Sequence, residues 1–177
     1  MSEAFFEALG PDRFRATELT RGPWGPGLQH AGPPAALLGR AVEGHGDRSG
    51  LQVARITFDI VRPVPIAELR VTTRLLRGGR SVELLEATLL AGEVEVMRAT
   101  ALRIRTVELD LPAGLTPGPR LPGPSAGRIL PFFPTGPWVA LEASTTAAAG
   151  IGLADTTLHD EHGPIGRSAQ ALFVDRR

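Results

Sequence analysis

The residues best suited to chemistry stand directly before the segment with the clearest helical periodicity. Residues 29–32 read Gln-His-Ala-Gly, and two prolines follow them. Free backbone N–H groups at the start of a helix carry a partial positive charge and can hold a carbonyl oxygen as it becomes negative. We therefore interpret Gly32 as a candidate catalytic donor and Ala31, whose amide is a further candidate donor, as a candidate substrate contact. His30 is a candidate base or substrate contact, and the substrate contact is favoured.

The segment that positions this start is predicted to be a buried helix over residues 29–43. Its two prolines, Pro33 and Pro34, fall in the first turn, where a missing N–H costs nothing. One apolar face is expected from the spacing of Ala35, Leu38, Ala41 and Val42. Gly44 is expected to end the helix.

Other candidate sites are weaker. His159 and His162 flank Asp160 and Glu161, but the spacing is not the helical zinc motif, and a solvated hairpin tip is the favoured interpretation. Residues 166–170, Gly-Arg-Ser-Ala-Gln, lack the second glycine of a serine-hydrolase elbow. The glycine-rich turns have no following lysine and helix to form a phosphate loop. We therefore expect no metal ion and no other cofactor.

Composition narrows the class of protein. The 177 residues carry 19 basic and 19 acidic side chains, and this balance argues against nucleic acid or an anionic membrane as the main partner. All the basic residues are arginine, and cysteine is absent, which excludes disulfides and thiol chemistry. With no long apolar run and no basic leader, we expect a soluble cytoplasmic protein.

The surrounding chain is predicted to be mostly strands. Residues 2–9 are expected to form a helical turn and residues 14–20 a first strand. After the helix, strands are predicted over residues 53–61, 69–76, 81–90 and 94–105, with a hairpin at Gly78-Gly79, a bulge near Leu84-Leu85 and a turn at Gly92. The expected faces are Ala54, Ile56, Phe58 and Ile60 in the first of these strands, and Val94, Val96, Leu102 and Ile104 in the last.

The domain organisation follows from a change in composition. Residues 1–107 form a first unit, and residues 108–137 form a linker rich in proline and glycine. Residues 138–177 contain three further strands, predicted over residues 138–145, 151–159 and 165–175.

A helix embraced by a curved antiparallel sheet is the hotdog fold, an α+β architecture. Residues 23–24, Pro-Trp, and residues 29–38, Gln-His-Ala-Gly-Pro-Pro-Ala-Ala-Leu-Leu, resemble the hotdog helix of the acyl-CoA thioesterase II-like family. Residues 138–143, residues 152–154 and the Gly-Arg-Ser-Ala-Gln run resemble the end of the second hotdog in that family. The resemblance implies a double hotdog, and an acyl-CoA or other acyl thioester as the substrate.

The resemblance also implies a hydrolytic water held by an aspartate, a threonine or serine, and a glutamine near the C-terminus. Gln170 matches the glutamine, whereas the other two positions would lie in a stretch that this sequence lacks. The second unit therefore looks incomplete. Two explanations stay open, a deletion and a sequence that omits a segment.

Three functions are weighed on this basis. The first is hydrolysis of an acyl thioester by direct attack of water, with Gln170 and Gly32 as catalytic groups and with His30, Ala31 and Phe58 as substrate contacts. The second is acyl-CoA binding without catalysis, and the third is dehydration, for which His30 lacks an evident carboxylate partner. Arg77, Arg80, Arg103 and Arg105 can meet coenzyme A phosphates, although exposed strand arginines are usually only solvated. We expect a homo-oligomer, because an incomplete unit exposes strand edges.

Overall fold

The secondary structure comes from a computed structural model that describes residues 4–46, 50–106, 140–148, 151–160 and 163–173. The chain divides into two units, Met1–Leu109 (unit 1) and Asp110–Arg177 (unit 2). In unit 1 the elements are β1 (Phe6–Ala8), β2 (Arg13–Ala16), a 3-10 turn (Glu18–Thr20), α1 (Gly32–Gly44), β3 (Leu51–Ile60), β4 (Glu68–Arg77), β5 (Val82–Ala91) and β6 (Val94–Arg105). Unit 2 contains β7 (Ala140–Ala148), β8 (Ile151–Asp160) and β9 (Gly163–Phe173).

The strands of unit 1 form one antiparallel sheet of six strands in the order β1-β2-β4-β5-β6-β3. Helix α1 packs on one face of this sheet. Its residues Leu38 and Val42 are fully buried, and Leu37 is also buried. The sheet side of the core comes from alternating residues of the central strands, namely Leu85, Ala87, Leu89, Met97, Ala99 and Ala101. The small alanines allow the helix to approach the sheet closely.

The predicted helix is confirmed, with a later start. It begins at Gly32, has Pro33 and Pro34 in its first turn and ends at Gly44. Gln29 lies before it in an extended bridge with Arg21. The predicted helical turn over residues 2–9 is wrong, because Phe6–Ala8 pairs as a strand with β2. The predicted first strand is shorter than expected, since Glu18–Thr20 forms the 3-10 turn.

Three β-bulges in unit 1 explain why some side chains do not lie on the predicted face of their strand. Ala54 has no partner in β6, so Ala54 is exposed and Val53 turns inward in its place. In the pairing of β4 with β5, Leu75 lies opposite Leu85 and Arg77 opposite Leu84, and Leu76 between them has no partner. The bulge predicted near Leu84-Leu85 on β5 therefore lies on β4 instead. Val96 has no partner in β5. The residues after it therefore lie on the face opposite to the one predicted, so that Met97 is buried and Ile104 is 40% exposed. An extra residue reverses the alternation of every side chain beyond it.

Two turns are confirmed. The Gly78-Gly79 segment connects β4 to β5, and a Cβ at Gly79 would lie 2.8 Å from the Val82 carbonyl oxygen, so the turn requires glycine. Gly92 connects β5 to β6 with a φ of 59°, a value that glycine adopts readily.

In unit 2, the three strands form an antiparallel sheet in the order β7-β8-β9. The three strands predicted here are confirmed, while the linker over residues 108–137 falls outside the described residues. No helix in the described ranges is long and apolar enough to cross a membrane.

Candidate active site

Helix α1 opens without a side-chain cap. Ala31 precedes its first residue with φ −65° and ψ −24°, and it makes no capping hydrogen bond through its side chain. Pro33 and Pro34 have no N–H, so they remove two of the donors that a helix start normally offers. The Ala35 N–H donates to the Ala31 carbonyl oxygen at 3.1 Å. The Gly32 N–H is therefore the main donor left at this end, and Gly32 itself is exposed.

His30 and Gly32 are in direct contact. The Gly32 N–H donates to His30 Nδ1 at 3.1 Å. A ring nitrogen that accepts a hydrogen bond carries no proton, so this contact corresponds to the tautomer with its proton on Nε2. One N–H makes one strong hydrogen bond, and a substrate carbonyl would therefore compete with Nδ1 for the Gly32 amide. The predicted donor, Gly32, and the two predicted substrate contacts, His30 and Ala31, thus lie together at the N-terminal end of α1.

The segment before the helix is held by main-chain contacts. The His30 N–H donates to the Thr20 carbonyl oxygen at 2.8 Å, and the Gln29 N–H donates to that of Val64 at 2.8 Å. A Cβ at Gly22 would lie 2.7 Å from the His30 nitrogen, which explains why this close approach needs glycine. These contacts fix the direction from which the chain enters α1.

Gln29 is a buried polar group that the sequence analysis did not single out. It is 3% exposed, and its Nε2 donates to the Pro65 carbonyl oxygen at 2.7 Å. This contact fixes the orientation of the amide, because a flipped amide would place two acceptors together. Its Oε1 is buried and has no hydrogen-bond partner among the described residues. The one signal in the sequence was its place directly before His30.

The other two predicted site residues lie elsewhere. Phe58 lies on β3 opposite Ala99 and is half-buried against the core of unit 1. Gln170 lies on β9 opposite Ala154 and is exposed, as are its neighbours Ser168 and Ala169. Gln170 therefore belongs to unit 2, whereas the helix start belongs to unit 1.

Two residues do not occupy the solvated positions expected of them. His159 lies within β8 and is 3% exposed, and neither ring nitrogen has a partner within the described parts of the chain. His162 lies outside those parts. Arg103 is 2% exposed and donates to Glu83 and to the His45 carbonyl oxygen. Arg103 is therefore not available to bind a phosphate group of coenzyme A.

Exposed ion pairs lie near the loop that contacts Gln29. Glu68, three residues after Pro65, accepts hydrogen bonds from Arg13 Nη2 and Arg15 Nη2, each at 2.9 Å. The bond from Arg15 is the main reason why the pKa of Glu68 lies below its ordinary value, and the bond from Arg13 acts in the same direction. The pKa of Arg15 is raised by the same contact.

Comparisons with known proteins show what this chain resembles. Residues 20–104 match the family model described as the acyl-CoA thioesterase N-terminal domain. The structure is similar to that of a Thermobifida fusca YX protein assigned as a thioesterase II, with a TM-score of 0.72 and 14% identity over 97% of this chain and 95% of that one. It is also similar to the tesB protein of Mycobacterium avium subspecies paratuberculosis, with a TM-score of 0.64 and 13% identity over 95% of each chain. No curated protein matches the sequence.

These matches confirm the α+β hotdog fold and the resemblance to thioesterase II proteins. The two structural matches share few identical residues with this chain, so they speak for the fold. The family model matches slightly less than half of the chain, and the matched segment contains the whole helix and the candidate donor Gly32.

Proposed function

We propose, from the match of residues 20–104 to the model of the acyl-CoA thioesterase N-terminal domain, that this protein hydrolyses an acyl thioester of coenzyme A by direct attack of water. The observation that carries the proposal is the N–H of the exposed residue Gly32 at the start of α1, which donates to a side-chain acceptor, His30 Nδ1. Thioester hydrolysis needs a polarised carbonyl, an oriented water and a place for the acyl chain. We expect this activity to serve lipid metabolism in the cytoplasm.

The helix start supplies the first requirement. The thioester carbonyl oxygen would displace His30 Nδ1 and accept the Gly32 N–H as negative charge develops on it. The partial positive charge at the helix end favours the same state. Removing one such donor from an enzyme typically costs about 10²- to 10³-fold in rate. His30 and Ala31, next to this donor, would contact the substrate.

The remaining requirements are assigned to side chains elsewhere. Gln170 would orient the attacking water through its amide, as the resemblance to thioesterase II proteins implies. Phe58 would contact the acyl chain from β3, where it is half-buried. The carbon–sulfur bond breaks, and the products are a free carboxylic acid, which gains the hydroxyl group of the water, and the free thiol of coenzyme A, which gains the remaining proton.

A second function is acyl-CoA binding without hydrolysis. It is favoured by the engagement of the Gly32 amide with His30 Nδ1, which leaves this donor already satisfied. The absence of counterparts for the aspartate and threonine that the resemblance implies also favours it.

The test is release of free thiol from a series of acyl-CoA substrates. The substitution Gln170→Ala is expected to lower the rate by on the order of 10²-fold, because a water-positioning group is lost. The matched control is Gln52→Ala, another exposed glutamine, on β3. An unchanged rate in Gln170→Ala would refute the role given to this residue. Saturable binding with no thiol release in the unmodified protein would instead favour the binding function.

We also propose that the protein self-associates. The described part of unit 2 is a sheet of only three strands, and Leu153 on its central strand is 47% exposed. Burial of such surface against a second chain would be favourable. Sedimentation over a range of concentrations checks this, and a monomer at every concentration would contradict it.

A further inference from the structure

One end of the six-stranded sheet exposes three large apolar side chains. Leu75 and Leu76 lie at the end of β4 and are 44% and 39% exposed, and Ile104 of β6 is 40% exposed. Leu76 is the bulge residue of β4. Because a bulge interrupts the alternation of faces, two consecutive leucines both reach the surface here.

Three arginines belong to the same end of the sheet, which presents exposed side chains on both faces. Leu75 pairs with the buried Leu85 and so lies on the helix-facing side, whereas Ile104, next to the buried Arg103, lies on the opposite side. Arg77 and Arg80 flank the Gly78-Gly79 turn, and Arg105 follows Ile104; all three are exposed. The Arg105 N–H donates to the Ser81 carbonyl oxygen at 2.9 Å, so the end of β6 lies beside the turn. We call these six residues, Leu75, Leu76, Arg77, Arg80, Ile104 and Arg105, the hairpin-end patch.

Among the described residues, the positive charge of this patch is not paired. None of its three arginines forms an ion pair within the ranges that the structure describes, although most of the other arginines there do. The nearby carboxylates are already engaged, since Glu83 binds Arg103 and Glu86 binds Arg74. The described residues at this end of the sheet therefore carry an excess of positive charge.

The position of the patch limits what can bind to it. Strands β4, β5 and β6 are interior strands with a neighbour on each side. An extended peptide therefore cannot add to the sheet here as a further strand. Exposed apolar and cationic side chains also flank this turn together, on the two faces of the sheet end. This is the combination that inserts apolar groups between lipids while arginines meet anionic headgroups.

We propose that the hairpin-end patch docks the protein on an anionic lipid surface. This inference goes beyond thioester hydrolysis and does not depend on it. It also differs from the expectation drawn from net charge, since the argument rests on the local arrangement of charges. The glycine turn contributes to the fit, because Gly79 lies too close to the Val82 carbonyl oxygen for a side chain and so keeps the turn tight.

The experiment is co-sedimentation of the full chain with vesicles of phosphatidylcholine alone and of phosphatidylcholine with phosphatidylglycerol. Binding is expected only to the anionic vesicles, and it should weaken as salt is raised. The triple variant Arg77→Gln/Arg80→Gln/Arg105→Gln should bind about a hundredfold more weakly, at roughly fivefold for each arginine. The matched control, Arg13→Gln/Arg15→Gln/Arg21→Gln, removes three ion-paired arginines and should keep most of the binding.

A second variant tests the apolar part. Leu75→Ser/Leu76→Ser should weaken binding while leaving its salt dependence in place, whereas Leu9→Ser/Leu19→Ser, at exposed leucines outside the patch, should not. Equal binding to neutral and anionic vesicles, or equal losses in the patch and control variants, would overturn the proposal. Binding of inorganic polyphosphate that is as tight as binding of vesicles, and that Leu75→Ser/Leu76→Ser leaves unchanged, would show a soluble polyanion site instead.

Discussion

At its C-terminal end, helix α1 is fixed by side chains that lie deep against the sheet. His45, the residue after Gly44, accepts a hydrogen bond from Arg103 Nη1 at 2.9 Å through its carbonyl oxygen, and its Nδ1 lies 2.8 Å from Thr73 Oγ1. At its N-terminal end the helix is instead approached by a loop whose contacts are mostly from the main chain, and Gly32 is exposed there. We call these the anchored end and the open end.

The difference between the two ends teaches how a single helix can serve both stability and chemistry. At the anchored end, the arginine neutralises the negative end of the helix dipole and satisfies a carbonyl oxygen that has no partner within the helix. At the open end, the donors remain close to solvent and can change partners. The ligand binding proposed for this end would therefore leave the contacts that hold the helix in place undisturbed.

The largest expected effect is at the anchored end. The substitution Arg103→Met leaves the Glu83 carboxylate, whose side chain is 18% exposed, without its cation. Removing one partner of a buried ion pair typically costs about 3–5 kcal/mol, and we expect a loss near the lower figure because Glu83 keeps some contact with water. The measurement is the free energy of unfolding in urea.

Two further variants isolate the cause. Arg105→Met, at an exposed arginine without an ion pair, should change stability by no more than about 0.5 kcal/mol. The double variant Arg103→Met/Glu83→Leu should recover most of the loss, since no charge is then left without a partner. If Arg103→Met is no more destabilising than Arg105→Met, the anchored end is not held in the way described.

A smaller loss is expected from Thr73→Val, which removes the partner of His45 Nδ1. A neutral hydrogen bond contributes about 1 kcal/mol to stability. Thr72→Val is the matched control, because Thr72 is the exposed neighbour on the same strand. The same unfolding measurement checks both, and equal effects at the two threonines would show that the histidine contact adds nothing.

Two glycines of the helix allow the ends to be compared directly. A Cβ at Gly39 would meet nothing within 4 Å, so Gly39→Ala should stabilise the protein by about 0.5–1 kcal/mol. A Cβ at Gly32 would lie 3.2 Å from His30 Nδ1, so part of this gain should be lost as the ring is pushed aside. Thermal unfolding of the two variants gives the difference. Equal gains would mean that the His30 ring moves without cost.

The smallest effect concerns Glu68 and its pH dependence. Its pKa is lower in the folded protein than in the unfolded chain, so its stabilising contribution is present above the unfolded value of 4.5 and is lost as the pH falls through the folded value. Glu68→Gln should therefore destabilise the protein slightly at neutral pH and not at low pH. Melting curves at several pH values and at high salt check this. Salt should screen this exposed ion pair, so an effect of Glu68→Gln that persists at high salt would contradict the interpretation. The effect of Arg103→Met, at a buried ion pair, should by contrast persist at high salt.

Much of the fold could be predicted from the sequence, because alternation and turn residues are local signals. The hairpin at Gly78-Gly79, the turn at Gly92 and the bounds of β6 are all visible in the residue pattern. The position of a bulge is less visible there, since it depends on the partner strand. The irregularity predicted near Leu84-Leu85 was found at the unpaired Leu76 on the opposite strand. This is why Arg103 was grouped with exposed arginines, whereas the bulge at Val96 sets it on the face that meets the helix.

The candidate site was predictable only in part. The helix start could be located because prolines and a periodic apolar segment mark it, and Gly32, His30 and Ala31 do lie together. The contact between the Gly32 N–H and His30 Nδ1 could not be predicted, because it depends on one side-chain rotamer. Gln29 was missed for a similar reason, since its burial depends on Pro65, which follows 36 residues later. The role of Gln170 stays a prediction.

The three bulge residues also differ in whether they could be deleted from the sequence. Ala54 and Leu76 have no partner on the neighbouring strands and are exposed. Deletion of either residue would restore regular pairing, and every other side chain of the strand would keep its face. Val96 is different, because its side chain is buried and its carbonyl oxygen accepts the N–H groups of Val61 and Arg62 at 3.0 and 3.1 Å. Single-residue deletions among relatives are therefore expected at the first two positions and not at the third.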